Sequence, residues 1–301
     1  MKLSFAIVVA LAGSARALSP AFAEDQDALL KRGEYLINGP VACGNCHNTR
    51  AEDLSFVPGK EFAGGFHLFD PIGIDAYAAN ITPDPDTGIG TWSDAEIITA
   101  IREGKTKDGG INFPPMPVPT YNNMSDDDVK AIVAYLRTVP AVHHEVPQST
   151  YKIPQQAMPP AKGLPAPPAS DKVAYGGYIV NALAHCFECH TTPGANGVPD
   201  FANSLGAGGF PIYLGPDIVV ATANITSDPE TGIGKWTDDQ IKVALTKGMT
   251  PAGGHLSPPM PYGFFANMTP DDLDAVVAYV RTIPPIKHKV ERTDFQKKAF
   301  P

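Results

Sequence analysis

All four cysteines of this 301-residue chain fall in two pentapeptides of one design, Cys43-Gly44-Asn45-Cys46-His47 and Cys186-Phe187-Glu188-Cys189-His190. Two thiols spaced by two residues and followed at once by an imidazole form the attachment pattern of a c-type haem. The thiols add across the two vinyl groups on one porphyrin edge. The neighbouring His47 or His190 is then held beneath the ring, where a nitrogen can ligate iron. With 4 Cys and 8 His among 301 residues, composition alone yields such a pentapeptide only about 10⁻³ times, so a pair is not accidental. Rival chemistries fit less well. A thioredoxin-like pair needs no histidine and sits near a βαβ pattern, which the sequence lacks. Zinc draws four ligands per site, usually from paired short motifs. Disulfides would suit an exported protein, but attachment of two haems already uses every thiol.

Each iron needs a group on its other face. A His/Met pair fills both axial positions and raises the potential, which suits electron transfer. Two methionine pairs recur at matching places: Met116 with Met260, and Met124 with Met268. Met124 directly precedes Ser125, a helix cap, with Val129 four positions into the helix; Met268 precedes Thr269, with Leu273 in the same place. That is a hydrophobic staple, and it explains this pair structurally. Met116 and Met260 each sit in a Pro-Pro-Met-Pro loop, whose prolines stiffen the backbone and can hold a thioether in place. They are the expected distal ligands. Met158 and Met249 look incidental, and His67, His143, His144, His185, His255 and His288 form no duplicated ligand set. His144 aligns with His288, and both read as surface residues just past a helix.

Trp92 and Trp236, the only tryptophans, close a thirteen-residue loop, Asn-Ile-Thr-x-Asp-Pro-x-Thr-Gly-Ile-Gly-x-Trp, that occurs twice. Two readings fit them equally: aromatic core packing, or an indole N–H donated to a haem propionate.

The elements that position these groups come in two copies. Gly33-Glu34-Tyr35 matches Gly176-Gly177-Tyr178, Gly64-Gly65-Phe66 matches Gly208-Gly209-Phe210, and Tyr135-Leu136-Arg137-Thr138 matches Tyr279-Val280-Arg281-Thr282. The offset is 143 up to the motif histidine and 144 beyond it, so one residue is inserted between His190 and Gly208. Two copies of this length mean two domains rather than a solenoid. Each copy reads as helical. An amphipathic helix over residues 26–38 leads into the first motif. Ser93-Asp94-Ala95-Glu96 is a capping-box start, and Ser125 and Thr269 open further helices, which end at Pro140 and Pro284. Strand signal is confined to short stretches such as Ile218-Val219-Val220.

The chain begins Met1-Lys2, continues with a short apolar run and ends Ala21-Phe22-Ala23 in a cleavage-site pattern. This is a secretory leader, expected to be cut after Ala23, and its apolar core is too short to span a bilayer. Net charge is −9, and −11 once Lys2 and Arg16 leave with the leader. Such acidity argues against nucleic acid or an anionic membrane as partner. Seven prolines between residues 146 and 170 mark an extended surface linker. The tail from Lys287 to Pro301 reads as a solvated extension.

Taken together, Cys43-x-x-Cys46-His47, the Asn80-to-Trp92 loop, Pro115-Met116-Pro117 and Tyr135-Leu136-Arg137, each with its second copy, resemble bacterial class I c-type cytochromes. The closer likeness is to the multihaem cytochrome subunit of membrane-bound alcohol and gluconate dehydrogenases. The resemblance covers nearly the whole chain after the leader. It departs in haem count, since that subunit family carries three motifs and this chain two. It implies an all-α fold: a leader over 1–23, a domain over 24–145, a linker over 146–170, and a second domain with its tail over 171–301. It also implies two covalent haem c groups, with His47 and His190 proximal and Met116 and Met260 distal. The expected role is a periplasmic carrier, peripheral to the inner membrane at most. It would take electrons from a dehydrogenase and pass them to an oxidase or another cytochrome of the respiratory chain. The alternative is a dihaem enzyme such as a peroxidase. That would need one open iron, and both copies carry the same Pro-Pro-Met-Pro loop.

Overall fold

The computed structural model describes residues 20–70, 73–195, 197–215 and 218–291. Most of the expected leader, residues 1–19, and the end of the tail, residues 292–301, therefore lie outside the described residues. Unit 1 holds α1 (Pro20–Asn38), α2 (Gly44–His47), the strands β1 (His67–Asp70) and β2 (Ile74–Tyr77), then α3 (Asp94–Glu103), α4 (Val118–Tyr121) and α5 (Asp126–Leu136). The two-residue strand β3 (Thr150–Tyr151) follows from the linker. Unit 2 holds α6 (Lys172–Tyr178), α7 (Cys186–Cys189), β4 (Pro211–Gly215), β5 (Ile218–Ala221), α8 (Asp238–Lys247), α9 (Tyr262–Phe265) and α10 (Pro270–Val280).

Local chemistry sets the helix ends. The Ser93 hydroxyl accepts the Glu96 N–H while Glu96 Oε2 accepts the Ser93 N–H, and Thr237 and Gln240 repeat the reciprocal pair. Gly104 (φ 76°) and Gly248 (φ 63°) close the same two helices in the left-handed region. Met124 and Val129 are buried beside the Ser125 cap, and Met268 and Leu273 beside the Thr269 cap, as the staple requires.

Within each unit the first and last helices cross at a glycine. A Cβ on Gly33 would lie 2.0 Å from the Ala131 carbonyl oxygen, and one on Gly176 would lie 1.8 Å from that of Ala275. Only glycine permits α1 to lie on α5, and α6 on α10, this closely. The copies differ just beyond the crossing. Pro40 lacks an N–H, and α1 stops at Asn38. Unit 2 has Leu183 at that place, and α6 runs on as a π-helix over Ile179–Leu183.

Helices dominate, but the molecule is not all-α. β1 and β2 form an antiparallel hairpin with His67 opposite Tyr77 and Asp70 opposite Ile74, and β3 adds to it with Tyr151 opposite Ile74. β4 and β5 form the matching hairpin of unit 2, with Pro211 opposite Ala221. The strands of the two hairpins are four or five residues long, too short for the alternation of Ile74 and Ala76 inward with Asp75 outward to stand out from sequence. The linker also does more than span. Met158 N–H donates to the Glu103 carbonyl at 2.9 Å and Asn122 Nδ2 to that of Pro159 at 2.9 Å, holding it along unit 1.

The units meet through reciprocal contacts, the pattern of an isologous interface inside one chain. Tyr35 of unit 1 donates to Asp272 Oδ2 (2.5 Å) and accepts the Thr269 N–H (3.2 Å). Its counterpart Tyr178 donates to Asp128 Oδ2 (2.6 Å) and accepts the Ser125 N–H (3.1 Å). Each tyrosine thus lands on the opposite unit's last helix at its capped start. Buried core runs continuously across the junction, from Leu36 and Met124 to Tyr178 and Ile179.

Candidate haem centres

The two attachment motifs lie on this junction. Asn45, between the first pair of cysteines, donates its Nδ2 to the Pro259 carbonyl in the Pro-Pro-Met-Pro loop of unit 2 (2.7 Å). Glu188, its counterpart between the second pair, accepts the Thr120 N–H (3.1 Å) and hydroxyl (2.6 Å) just beyond the same loop of unit 1. Tyr121 meets the His185 ring edge to face, with centroids 6.0 Å apart. Each motif is therefore braced by the other unit's methionine loop.

Short helices present the motifs. α2 holds Cys46 and His47 with Cys43 as its N-cap, α7 holds Cys186 and Cys189 with His190 as its C-cap, and the residues before the two motifs, Ala42 (φ 52°) and His185 (φ 43°), are left-handed. None of the four cysteines is in a disulfide, although two residues separate each pair. Burial pushes the thiols of Cys43, Cys186 and Cys189 up to about 12 and raises that of Cys46, which keeps all four as neutral thiols. Among the described residues no three His, Cys, Asp or Glu side chains converge as a metal site would require.

The ring nitrogens are already assigned. His47 Nδ1 lies 2.8 Å from the Ala79 carbonyl oxygen and His190 Nδ1 lies 2.7 Å from that of Ala223. A carbonyl only accepts, so Nδ1 carries the proton in both and Nε2 is left with its lone pair. Burial lowers the affinity of both rings for a second proton, outweighing the carbonyl. This is the support that a ligating histidine takes from its surroundings. Two neutral thiols and one oriented imidazole per site fit a covalently held haem.

The two methionine pairs differ in burial. Met124 is fully buried and Met268 nearly so. Met116 and Met260 are half-buried and lie against the core rather than in it. Trp92 and Trp236 are likewise half-buried against the core.

The loop ending in these tryptophans is a self-contained hydrogen-bond lattice. The Asn80 side chain donates to Thr87 Oγ1 and the Val142 carbonyl while accepting from Thr82, and Asp84 Oδ1 accepts the Thr87 N–H at 2.7 Å; Asn224, Thr226, Asp228 and Thr231 repeat it. The Thr87 and Thr231 N–H groups hold the Asp84 and Asp228 carboxyls below their usual range. Arg137 ties the loop to the last helix, donating to the Ile89 and Trp92 carbonyls and to Asp94 Oδ1 (2.9 Å). Arg281 does the same for Ile233, Trp236 and Asp238. The repeated Tyr-x-Arg-Thr segment signalled these arginines; what they hold was not legible.

Two histidines differ from expectation. His144 and His288 are not free surface residues. His144 Nδ1 donates to the Ala63 carbonyl at 2.8 Å and His288 Nδ1 to that of Ala207 at 2.9 Å. Each rests against a left-handed glycine, Gly65 or Gly209, whose missing side chain makes room for the ring.

Comparison with known proteins places this geometry. A cytochrome c family profile matches residues 31–140 and again 174–284. The cytochrome c subunit of a quinone alcohol dehydrogenase from Gluconobacter oxydans is 32% identical over 95% of this chain and 61% of its own length. The gluconate 2-dehydrogenase cytochrome c subunit of Pantoea cypripedii is 33% identical over 87% of this chain and 62% of its own. A dihaem c-type cytochrome of Cereibacter sphaeroides is 28% identical over 81% of this chain and 83% of its own. The chain thus spans about three fifths of the length of the dehydrogenase subunits it matches. With both copies of the motif inside the matched segments, the chain belongs to the cytochrome c family, as two tandem domains that each bind one covalent haem c.

Proposed function

We propose that this protein is a periplasmic dihaem electron carrier that receives electrons from a dehydrogenase and delivers them to an oxidase or another cytochrome of the respiratory chain. Cys43 and Cys46 anchor one haem and Cys186 and Cys189 the other. His47 and His190 are the proximal ligands, Met116 and Met260 the distal ones. The observation that carries the reading is the matched pair of imidazoles, each with Nδ1 bonded to a backbone carbonyl and Nε2 left for iron. When bound, haem supplies one-electron iron chemistry. The protein's own residues fix the ring by thioethers and orient the imidazole. They also offer a thioether from a proline-stiffened loop, which closes the second face to substrate.

The functional units are 24–145 and 171–301, joined by 146–170 and preceded by a leader over 1–23 that is removed on export. Trp92 and Trp236 are assigned to the propionate edge, with their carbonyls held by Arg137 and Arg281. The donor is read from the relatives, which are named as dehydrogenase cytochrome subunits. No helix of the described residues is long and apolar enough to cross a membrane.

The test is optical. The oxidised holoprotein should show a Met–iron charge-transfer band equivalent to two haems, with no peroxide turnover. Met116→His and Met260→His should each remove half of the band. A high-spin haem with peroxide turnover, or a band insensitive to either substitution, would overturn the assignment.

A further inference from the structure

The duplicated motifs are not electrostatically equal. Arg50 follows the first motif by three residues, and its counterpart in unit 2 is Pro193. Arg50 Nη2 donates to the Asn45 carbonyl (2.7 Å) and to Asn45 Oδ1 (3.0 Å), and Nη1 donates to the Leu54 carbonyl (2.8 Å). Asn45 lies between the two haem-anchoring cysteines, so the guanidinium is clamped onto the attachment loop itself. Phe56 and Phe66 lie across it, with ring centroids at 4.4 and 4.9 Å. Its Nε is buried without a hydrogen-bond partner, and no carboxylate pairs with it among the described residues. An arginine stays charged throughout the physiological range. Unit 1 therefore carries an uncompensated cation against its haem attachment loop. Unit 2 carries none there; Glu188, an acid, stands where unit 1 has Asn45.

Reducing ferric haem removes one positive charge from the site, so a fixed cation nearby favours the ferrous form, more strongly in a partly dry environment. We propose that Arg50 makes the unit 1 haem the higher-potential member of the pair, so that unit 2 is the receiving end of the relay and unit 1 the delivering end. In the internal step one electron leaves the unit 2 iron, which passes from ferrous to ferric, and joins the unit 1 iron, which passes from ferric to ferrous. No bond is broken and no proton is required. The assignment needs no charge on Glu188. It rests on the two-haem reading given above.

The experiment is spectroelectrochemical titration of the holoprotein, which should resolve two one-electron waves. Met116→His, which changes the distal group proposed for unit 1, marks which wave belongs to that unit; the upper wave is expected. Arg50→Gln should then shift the sharing of one electron about tenfold towards unit 2, equivalent to about 59 mV on the marked wave, while Arg50→Lys should restore most of it. An upper wave that belongs to unit 2 would overturn the proposal even if no Arg50 variant folds. So would an Arg50→Gln titration that leaves the marked wave in place, or an Arg50→Lys titration that matches Arg50→Gln. A holoprotein without two haem waves would instead overturn the two-haem reading, and this inference with it.

Discussion

Replacing Tyr178 by phenylalanine tests whether the two units are locked by the reciprocal tyrosines. The hydroxyl of Tyr178 has one proton, given to Asp128 Oδ2 at 2.6 Å, and its oxygen receives the Ser125 N–H at 3.1 Å. Asp128 is only 4% exposed, and it keeps its two bonds from Arg32, at 2.7 and 3.0 Å, when the tyrosine is gone. The lost bond to a charged acceptor contributes about 1.5–3 kcal/mol. The Ser125 N–H is left buried beside a phenyl edge, which costs about 1 kcal/mol more, partly offset by relaxation of the cap. The expected loss is about 2–3 kcal/mol. Tyr35→Phe removes the matching pair at a more exposed site, with an expected loss of about 1–2 kcal/mol. Arg32 links the two sites, since it holds Asp128 and lies over the Tyr35 ring at 5.6 Å from its centroid, so the double variant should depart from the sum of the single losses. The assay is denaturant unfolding of the holoprotein followed by far-ultraviolet dichroism and by haem absorbance. Tyr178→Phe should lower the midpoint at unchanged slope. The double variant should split the transition into two as the units unfold separately. A loss below about 0.5 kcal/mol for Tyr178→Phe, the size of an ordinary surface change, would refute the reasoning.

Other perturbations have different signatures. Gly176→Ala drives a Cβ to 1.8 Å from the Ala275 carbonyl oxygen, a backbone atom that cannot swing away; the expected cost exceeds about 3 kcal/mol, measurable as a lowered unfolding midpoint of the holoprotein. His185 is held neutral by burial, its pKa lowered to about 4 from 6.5, so the unfolded chain binds the extra proton first and stability should fall as pH drops from about 6.5 to 4, by about 3 kcal/mol at most. His185→Asn, which tolerates the left-handed backbone, should flatten that slope in pH-dependent denaturation, and an unchanged slope would reject the assignment. Arg137→Gln should cost about 1–2 kcal/mol through the released Ile89 and Trp92 carbonyls. Asp94→Asn should cost less than about 0.5 kcal/mol, because that carboxylate is 70% exposed; equal losses would show that the ion pair and not the carbonyls holds the loop.

The haem attachment motifs were legible in the sequence. The cysteine spacing is set by the reach of two thiols to one porphyrin edge, and the staple pattern separated Met124 and Met268 from Met116 and Met260. These are local constraints, written within a turn or two of the residues they govern. The capping box at Ser93 belongs to the same class, since its physics spans about three residues. Of the short strands only the β-branched run Ile218-Val219-Val220, part of β5, was legible; the hairpin pairing was not, because four residues carry too little alternation. The histidines at 144 and 288 were misread as surface because their partners, the Ala63 and Ala207 carbonyls, lie 81 residues away.

The sequence alone determined the cofactor chemistry, the duplication and the capped starts of the helices at Ser93, Ser125 and Thr269, because each follows from neighbours along the chain; the last helices end at Leu136 and Val280, short of the expected Pro140 and Pro284. The tertiary structure decided how the copies face one another. Tyr35 finds Asp272 and Tyr178 finds Asp128 across separations of 237 and 50 residues, and Asn45 and Glu188 each brace the other unit's loop. Such contacts leave no periodic trace, since neither partner's local conformation depends on the other. The same holds for the one break in symmetry. Arg50 is an unremarkable cation in the sequence, and only its clamp on Asn45 and its cover of Phe56 and Phe66 place a fixed charge against one attachment loop and not the other.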